Sequence, residues 1–159
     1  MPTFAIKVRE SMTCIAGRNN EGRAIDLAKS IFDLMGETMI IDEGLMTAAT
    51  VLCGCGLAFF LRAIRAASQG GIEIGFHPSE ALPLAAQTAK GVATLLLSLK
   101  NHPETEIDRV TTPKGCTIAG LNEMEHQGFS SAMIKGILTS AKKAEKLYDE
   151  ERERDHKCE

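Results

Sequence analysis

Residues 110–129 read "VTTPKGCTIAGLNEMEHQGF", and this stretch decides how the chain is read. Pro113 cannot extend a helix arriving from upstream, and it biases Thr112 towards extended backbone. Gly115 permits conformations that other residues resist. From Cys116 the sequence turns helical, with Ile118, Leu121 and Met124 recurring on one side. The backbone N–H groups of Gly115, Cys116 and Thr117 are therefore expected to point outward, unpaired, at a helix N-terminus. Such a terminus favours an anion, a carboxylate or a phosphate. The Thr112 and Thr117 hydroxyls add groups that donate or accept. The competing reading is that Thr112 or Thr117 simply caps the helix.

Outward from that corner, nearly everything downstream of Asp42 reads as helix. Asp42 is placed to cap a helix through Met46 to Leu52, and the "CGCG" at 53–56 reads as a turn into a second helix over 57–74. Pro78 opens the next helix, with Pro83 near its start, and Pro103 opens a short one. The chain closes on a helix that becomes fully charged, expected to be a solvated end. The first forty residues differ. Residues 11–17, "SMTCIAG", alternate as a strand; residues 21–36 carry helical spacing with Gly36 as a C-terminal stop; "ETMIID" follows as a second strand. That is a β-α-β fragment, too small a sheet to stand comfortably alone.

Composition bounds the function. The 159 residues are 44% hydrophobic and 25% charged, with net charge −3, so a general nucleic-acid binder is excluded as the default reading. Aromatic residues are scarce, and Ala, Leu, Ile and Met carry the apolar content, which favours helices. Residues 44–61 carry no charge for a length that reaches the threshold for a membrane span. The interrupting glycines and the following Arg62 and Arg65 favour a buried core helix pair instead, and no membrane association is expected. The five cysteines, Cys14, Cys53, Cys55, Cys116 and Cys158, are odd in number. No secretory signal is read in "MPTFAIKVRE", so reduced thiols in a cytoplasm are expected. A thiol metal site from Cys14, Cys53, Cys55 and Cys116 is the weakest option, and no metal is expected. His77 and His102 sit beside prolines at helix starts and His126 in a surface-type run; none is assigned a catalytic role.

The stretch 110–147 resembles the signature region of the Δ1-pyrroline-5-carboxylate reductase family. Members typically show Ser/Thr-Pro-Gly-Gly-x-Thr-Ile-x-x-Leu, then a Glu and a Gly-Phe. Upstream, "LMTAATVLCGCGLAFFLRAIRAASQGGIEIGF" is similar to the family's helix pair around Gly-Ser-Gly-Pro-Ala. "LAAQTAKGVATLLL" and "HPETEIDRVT" resemble two further family helices. The opening "MPTFAIKVRESMTCIAG" is similar to the last strands of the nucleotide-binding domain. The resemblance implies a mainly α fold: an all-helical dimerisation domain preceded by a short β-α-β remnant of a Rossmann-type domain. It implies a remnant over 1–41, a dimerisation and substrate-binding domain over 42–150 and a charged tail over 151–159.

The family reduces a cyclic imine to proline with NADPH or NADH. Carried over, the substrate carboxylate lies on the N–H groups of Gly115, Cys116 and Thr117 with help from Thr112. The Thr117 hydroxyl, the catalytic group, reaches the ring nitrogen. The expected partners are a second copy of the chain, through apolar segments 46–61 and 82–97, and an imino acid or proline. The sequence departs from the family pattern at Leu57, Cys55, Thr3 and Lys114. It also holds no Gly-x-Gly-x-x-Gly turn after a strand, the usual nicotinamide cofactor fingerprint. The chain is therefore expected to bind no cofactor tightly and not to turn over alone. The alternative is a non-catalytic helical module that pairs with a full-length reductase.

Overall fold

The computed structural model describes residues 1–17 and 22–155. It divides into two compact units, Met1–Ala58 with Ile134–Glu159, and Phe59–Met133. Among the described residues one sheet forms, of two parallel strands, β1 (Ser11–Ile15) and β2 (Gly36–Ile40), in register Ser11↔Gly36 through Ile15↔Ile40. Helix α1 (Gly22–Phe32) and a 3-10 turn (Asp33–Met35) make the crossover, so the expected β-α-β fragment is present.

Gly36 ends the helical segment and starts β2 at once. Its φ is +141°, and a Cβ there would lie 2.1 Å from the Ser11 carbonyl oxygen and 2.4 Å from the Ser11 nitrogen. Only glycine lets the two strands meet at this end. The centre of this unit is polar as well as apolar. Cys14 and Val51 are buried beside Thr3, Ser11 and Thr13. The three hydroxyls satisfy one another: Ser11 Oγ lies 3.3 Å from Thr3 Oγ1 and 3.2 Å from Thr13 Oγ1, and it also accepts from the Thr3 N–H at 2.9 Å. Buried hydroxyls are tolerated on that condition.

Downstream the chain is helical: α2 (Met46–Ala49), α3 (Gly56–Glu73), α4 (Pro78–Leu99), α5 (Pro103–Val110), α6 (Cys116–His126) and α7 (Phe129–Asp155). Three expectations are corrected. "CGCG" is no turn: Cys53 to Cys55 belong to a π-type segment, Thr50–Cys55, that joins α2 to α3 within one helical run, Glu43–Glu73. Asp42 precedes that run but its side chain makes no capping bond. Glycine at 54 and 56 weakens a helix without breaking it, and an extra residue per turn is how a continuous helix absorbs such a stretch. Nor is the apolar pair a buried core. Phe60 and Leu61 on α3 and Leu82, Leu84 and Val92 on α4 are exposed. The run Glu43–Glu73 and α4 are both long and apolar enough to cross a membrane by length and composition.

The helix starts at proline are as expected. Pro78 and Pro103 open α4 and α5, and the preceding histidines cap them: His77 Nδ1 accepts from the Ser79 N–H, and His102 Nδ1 from the Glu104 N–H. Glu80 closes a capping box by accepting from the His77 N–H at 3.0 Å. These roles are structural. In the Phe59–Met133 unit α3 and α4 approach closely where Gly71 faces Ala81; a Cβ on Gly71 would lie 3.3 Å from the Ala81 methyl.

Candidate functional site

The corner between α5 and α6 lies wholly within the Phe59–Met133 unit. Helix α5 ends at Val110, and the Thr111 hydroxyl donates back to the Ile107 carbonyl at 2.7 Å, closing its last turn. Thr112, Pro113, Lys114 and Gly115 then form a tight turn in which the Gly115 N–H donates to the Thr112 carbonyl at 2.9 Å. Pro113 supplies the fixed φ such a turn needs near its start. Lys114 takes the left-handed conformation, φ 59°. A β-carbon costs energy there, and the position suits glycine.

The turn corrects one expectation. The Gly115 N–H is engaged in closing the corner and is not free for a ligand. What Gly115 contributes is space, since a Cβ would stand 2.4 Å from Thr112 Oγ1 and 3.0 Å from the Thr112 carbonyl oxygen. The Thr112 hydroxyl therefore lies against Gly115, at the mouth of α6. Gly115 is the N-cap residue of α6, with φ −76° and ψ 166°, and no side chain caps the helix. The N-cap position thus falls to Gly115 and not to Thr112 or Thr117.

Cys116 and Thr117 begin α6 and are both exposed. Their N–H groups belong to the first helical turn, which has no intrahelical acceptor for them. The turn thus brings together the Thr112 hydroxyl, two helix N-terminal N–H groups and the Thr117 hydroxyl, and it removes Gly115 from the donor set. Such an arrangement holds a small anion by hydrogen bonds and the helix dipole. Sequence reading missed Thr111. Its signal was position, a hydroxyl one residue past a helix end and just before the Thr-Pro turn.

The glycine clusters do not make a dinucleotide cradle. Gly54 and Gly56 lie in the π-to-α helical run, and Gly70 and Gly71 lie inside α3, whereas the phosphate-binding fingerprint needs a strand-to-helix turn. The β1-to-α1 connection includes residues 18–21, outside the described set. Among the described residues, no cluster of three or more His, Cys, Asp or Glu side chains could hold a metal ion. Cys14 and Cys53 belong to one unit, whereas Cys116 lies in the other.

A family model described as pyrroline-5-carboxylate reductase dimerisation matches residues 43–147. The chain belongs to that family. It is 54% identical over 165 aligned residues to pyrroline-5-carboxylate reductase 1 of Dictyostelium discoideum, an alignment covering 96% of this chain and 30% of the relative. Its fold is similar to a pyrroline-5-carboxylate reductase from Coxiella burnetii, with TM-score 0.87 at 23% identity, over 92% of this chain and 55% of that one. It is also similar to a Plasmodium falciparum pyrroline carboxylate reductase solved with NADP bound, with TM-score 0.82 at 23% identity, over 91% of this chain and 59% of that one. The chain thus spans between about a third and three-fifths of the reductases it matches. The mainly helical architecture with a short β-α-β segment before it is the fold shared with these structures.

Proposed function

We propose that this chain is the substrate-binding and dimerisation part of a pyrroline-5-carboxylate reductase, the enzyme that reduces 1-pyrroline-5-carboxylate to proline. The observation that carries the reading is the bare N-terminus of α6, set behind the Thr112–Gly115 turn inside the matched region. In this reading the substrate carboxylate takes the N–H groups of Cys116 and Thr117 and the hydroxyl of Thr112. Gly115 keeps the floor of the corner open. The Thr117 hydroxyl orients the ring nitrogen and supports its protonated form. The site works by positioning and electrostatics, without a nucleophile. NADPH or NADH is the reductant of the reaction, and no residue of this chain is assigned to hold it.

The exposed apolar faces of α3 and α4 support the second half of the proposal, a homodimer formed through these helices. Covering them with a second copy removes from water the surface that would otherwise suit lipid. The setting proposed is a reducing cytoplasm, with an imino acid or proline as the small-molecule partner.

The test is calorimetric titration of L-proline into the purified 159-residue chain, with light scattering on the same sample. A dimer that binds proline, with affinity at least about tenfold weaker in Thr117→Ala, is expected, the loss of one hydrogen bond to a charged ligand. No turnover of pyrroline-5-carboxylate with NADPH or NADH is expected from the chain alone. Proline binding that is absent, or indifferent to Thr117→Ala, overturns the site. A dimer without any proline binding leaves the non-catalytic module.

A further inference from the structure

Among the described residues, three other than glycine hold a positive φ, and all three are basic: Arg9, Lys100 and Lys114. Two have an ordinary reason. Arg9 closes the 3-10 turn Phe4–Val8 and Lys100 closes α4, each as the left-handed residue at a helix C-terminus. At the end of a helix as long as α4 a cation also suits the dipole. Lys114 has neither reason. It lies past the end of α5, beyond that helix's last turn, and just before the start of α6. It sits in the turn that the Gly115 N–H closes on the Thr112 carbonyl at 2.9 Å. This is the third place of a proline turn, where glycine or asparagine usually supplies the positive φ. Its charge is also set near the positive end of α6, where a cation is disfavoured.

No carboxylate compensates that charge. Arg109, the next basic residue upstream, is paired with Glu106 at 2.8 Å, and Glu106 also accepts from the Asn101 side-chain amide at 2.7 Å. Lys114 is exposed, and among the described residues it has no ion-pair partner. Two Cα steps of about 3.8 Å each tether it within about 8 Å of Cys116, backbone to backbone. An unpaired cation on a strained residue is thus held beside the Thr112 hydroxyl and the N–H groups of Cys116 and Thr117. A conformation kept against both sterics and the helix dipole points to a role other than stability.

We propose, resting on the reading of residues 112–117 as a carboxylate site, that Lys114 is its charge-selecting residue, favouring a ring carboxylate of net negative charge over a zwitterion. An imine nitrogen is much less basic than a saturated ring amine. Near neutral pH the imino acid therefore supplies a net anion, while proline stays a zwitterion whose own ammonium offsets its carboxylate. Lys114 draws in the first and is nearly indifferent to the second, so the corner takes substrate in preference to product. Lys114 acts through the field of its charge and not through a fixed contact, so salt screens its effect.

The experiment titrates cyclopentanecarboxylate, a ring anion without nitrogen, and L-proline into the purified 159-residue chain and its variants by calorimetry. Each titration is run at 10 mM and at 1 M salt, where the screening length falls from about 30 Å to about 3 Å. Lys114→Asn removes the charge and keeps a residue that tolerates positive φ; Lys114→Arg keeps the charge. At low salt Lys114→Asn is expected to weaken cyclopentanecarboxylate about threefold, the factor for unit charges about 7 Å apart in water. L-proline should change much less, the difference should vanish at high salt, and Lys114→Arg should behave as the parent chain. Tm should not fall in Lys114→Asn, which separates lost charge from lost fold. The proposal is overturned if Lys114→Asn binds cyclopentanecarboxylate as the parent does at low salt, or if both ligands weaken equally at both salts. If Thr117→Ala still weakens L-proline in those cases, the carboxylate site stands without a role for Lys114. A parent chain that binds neither ligand overturns both the site and its charge selection.

Discussion

At the scale of single residues, three positions carry distinct physics. Gly36 is the most constrained, because its φ is left-handed and the space for a Cβ is filled by Ser11 backbone. Gly36→Ala is expected to cost about 2–4 kcal/mol, read from the urea midpoint, since backbone cannot step aside as a side chain can. Lys114 is the opposite case. It holds φ 59° at an exposed turn, so Lys114→Gly relieves strain and is expected to raise stability by up to about 1 kcal/mol. Ser68 on α3 is buried, and its hydroxyl has no partner among the described residues. Ser68→Ala is expected to be neutral or to stabilise by about 1 kcal/mol, because it removes an unmet polar group and improves helix propensity. Residue identity alone advertised Gly36 as a helix stop. That Ser11 stands against it depends on strand pairing, which no local pattern contains.

At the scale of elements, proline and capping chemistry made the helix starts legible. Pro78 and Pro103 fix φ where a missing N–H costs nothing, so the boundaries of α4 and α5 could be read directly. The π-type join at Thr50–Cys55 could not. Glycines marked a weak place, and whether a weak place becomes a turn or an underwound, π-type segment depends on what the flanking helix packs against. The same limit held at the corner. Its proline and glycine announced a turn before α6, but they did not say that the turn would consume the Gly115 N–H. In the crossover, Lys29 and Asp33 pair at 2.6 Å, and this bond chiefly holds the Asp33 carboxyl below its ordinary value. A lowered carboxylate contributes stability above its unfolded pKa and loses it as pH falls through the folded one. The end of α1 is therefore expected to lose order only below about pH 4, the usual aspartate range. In Lys29→Ala the Asp33 carboxyl should titrate closer to its ordinary value and most of this pH-dependent loss should disappear, followed by side-chain and amide chemical shifts.

At the scale of the whole molecule the question is what covers the apolar helices. Phe60, Leu61, Leu82, Leu84 and Val92 are exposed in the single chain, far more apolar surface than an isolated soluble chain usually shows. Phe60→Glu is expected to shift the light-scattering mass from dimer to monomer while helical circular dichroism is kept. Helicity collapsing together with the dimer would mean that the helices need the partner to form at all. The dimerisation family match over residues 43–147 places these helices in a region named for association.

The sequence by itself determined the element order, the helix starts at proline, the β-α-β opening and the family, because each rests on local spacing or on a motif of fixed spacing. It also pointed to residues 112–117 as a corner able to meet an anion. Only the tertiary structure decided that "CGCG" continues a helix, that Gly115 gives its N–H to the turn, and that no side chain caps α6. Only it left the long apolar helices uncovered within one chain. These depend on which atoms meet across many intervening residues, and a pattern read over a few turns carries no record of that.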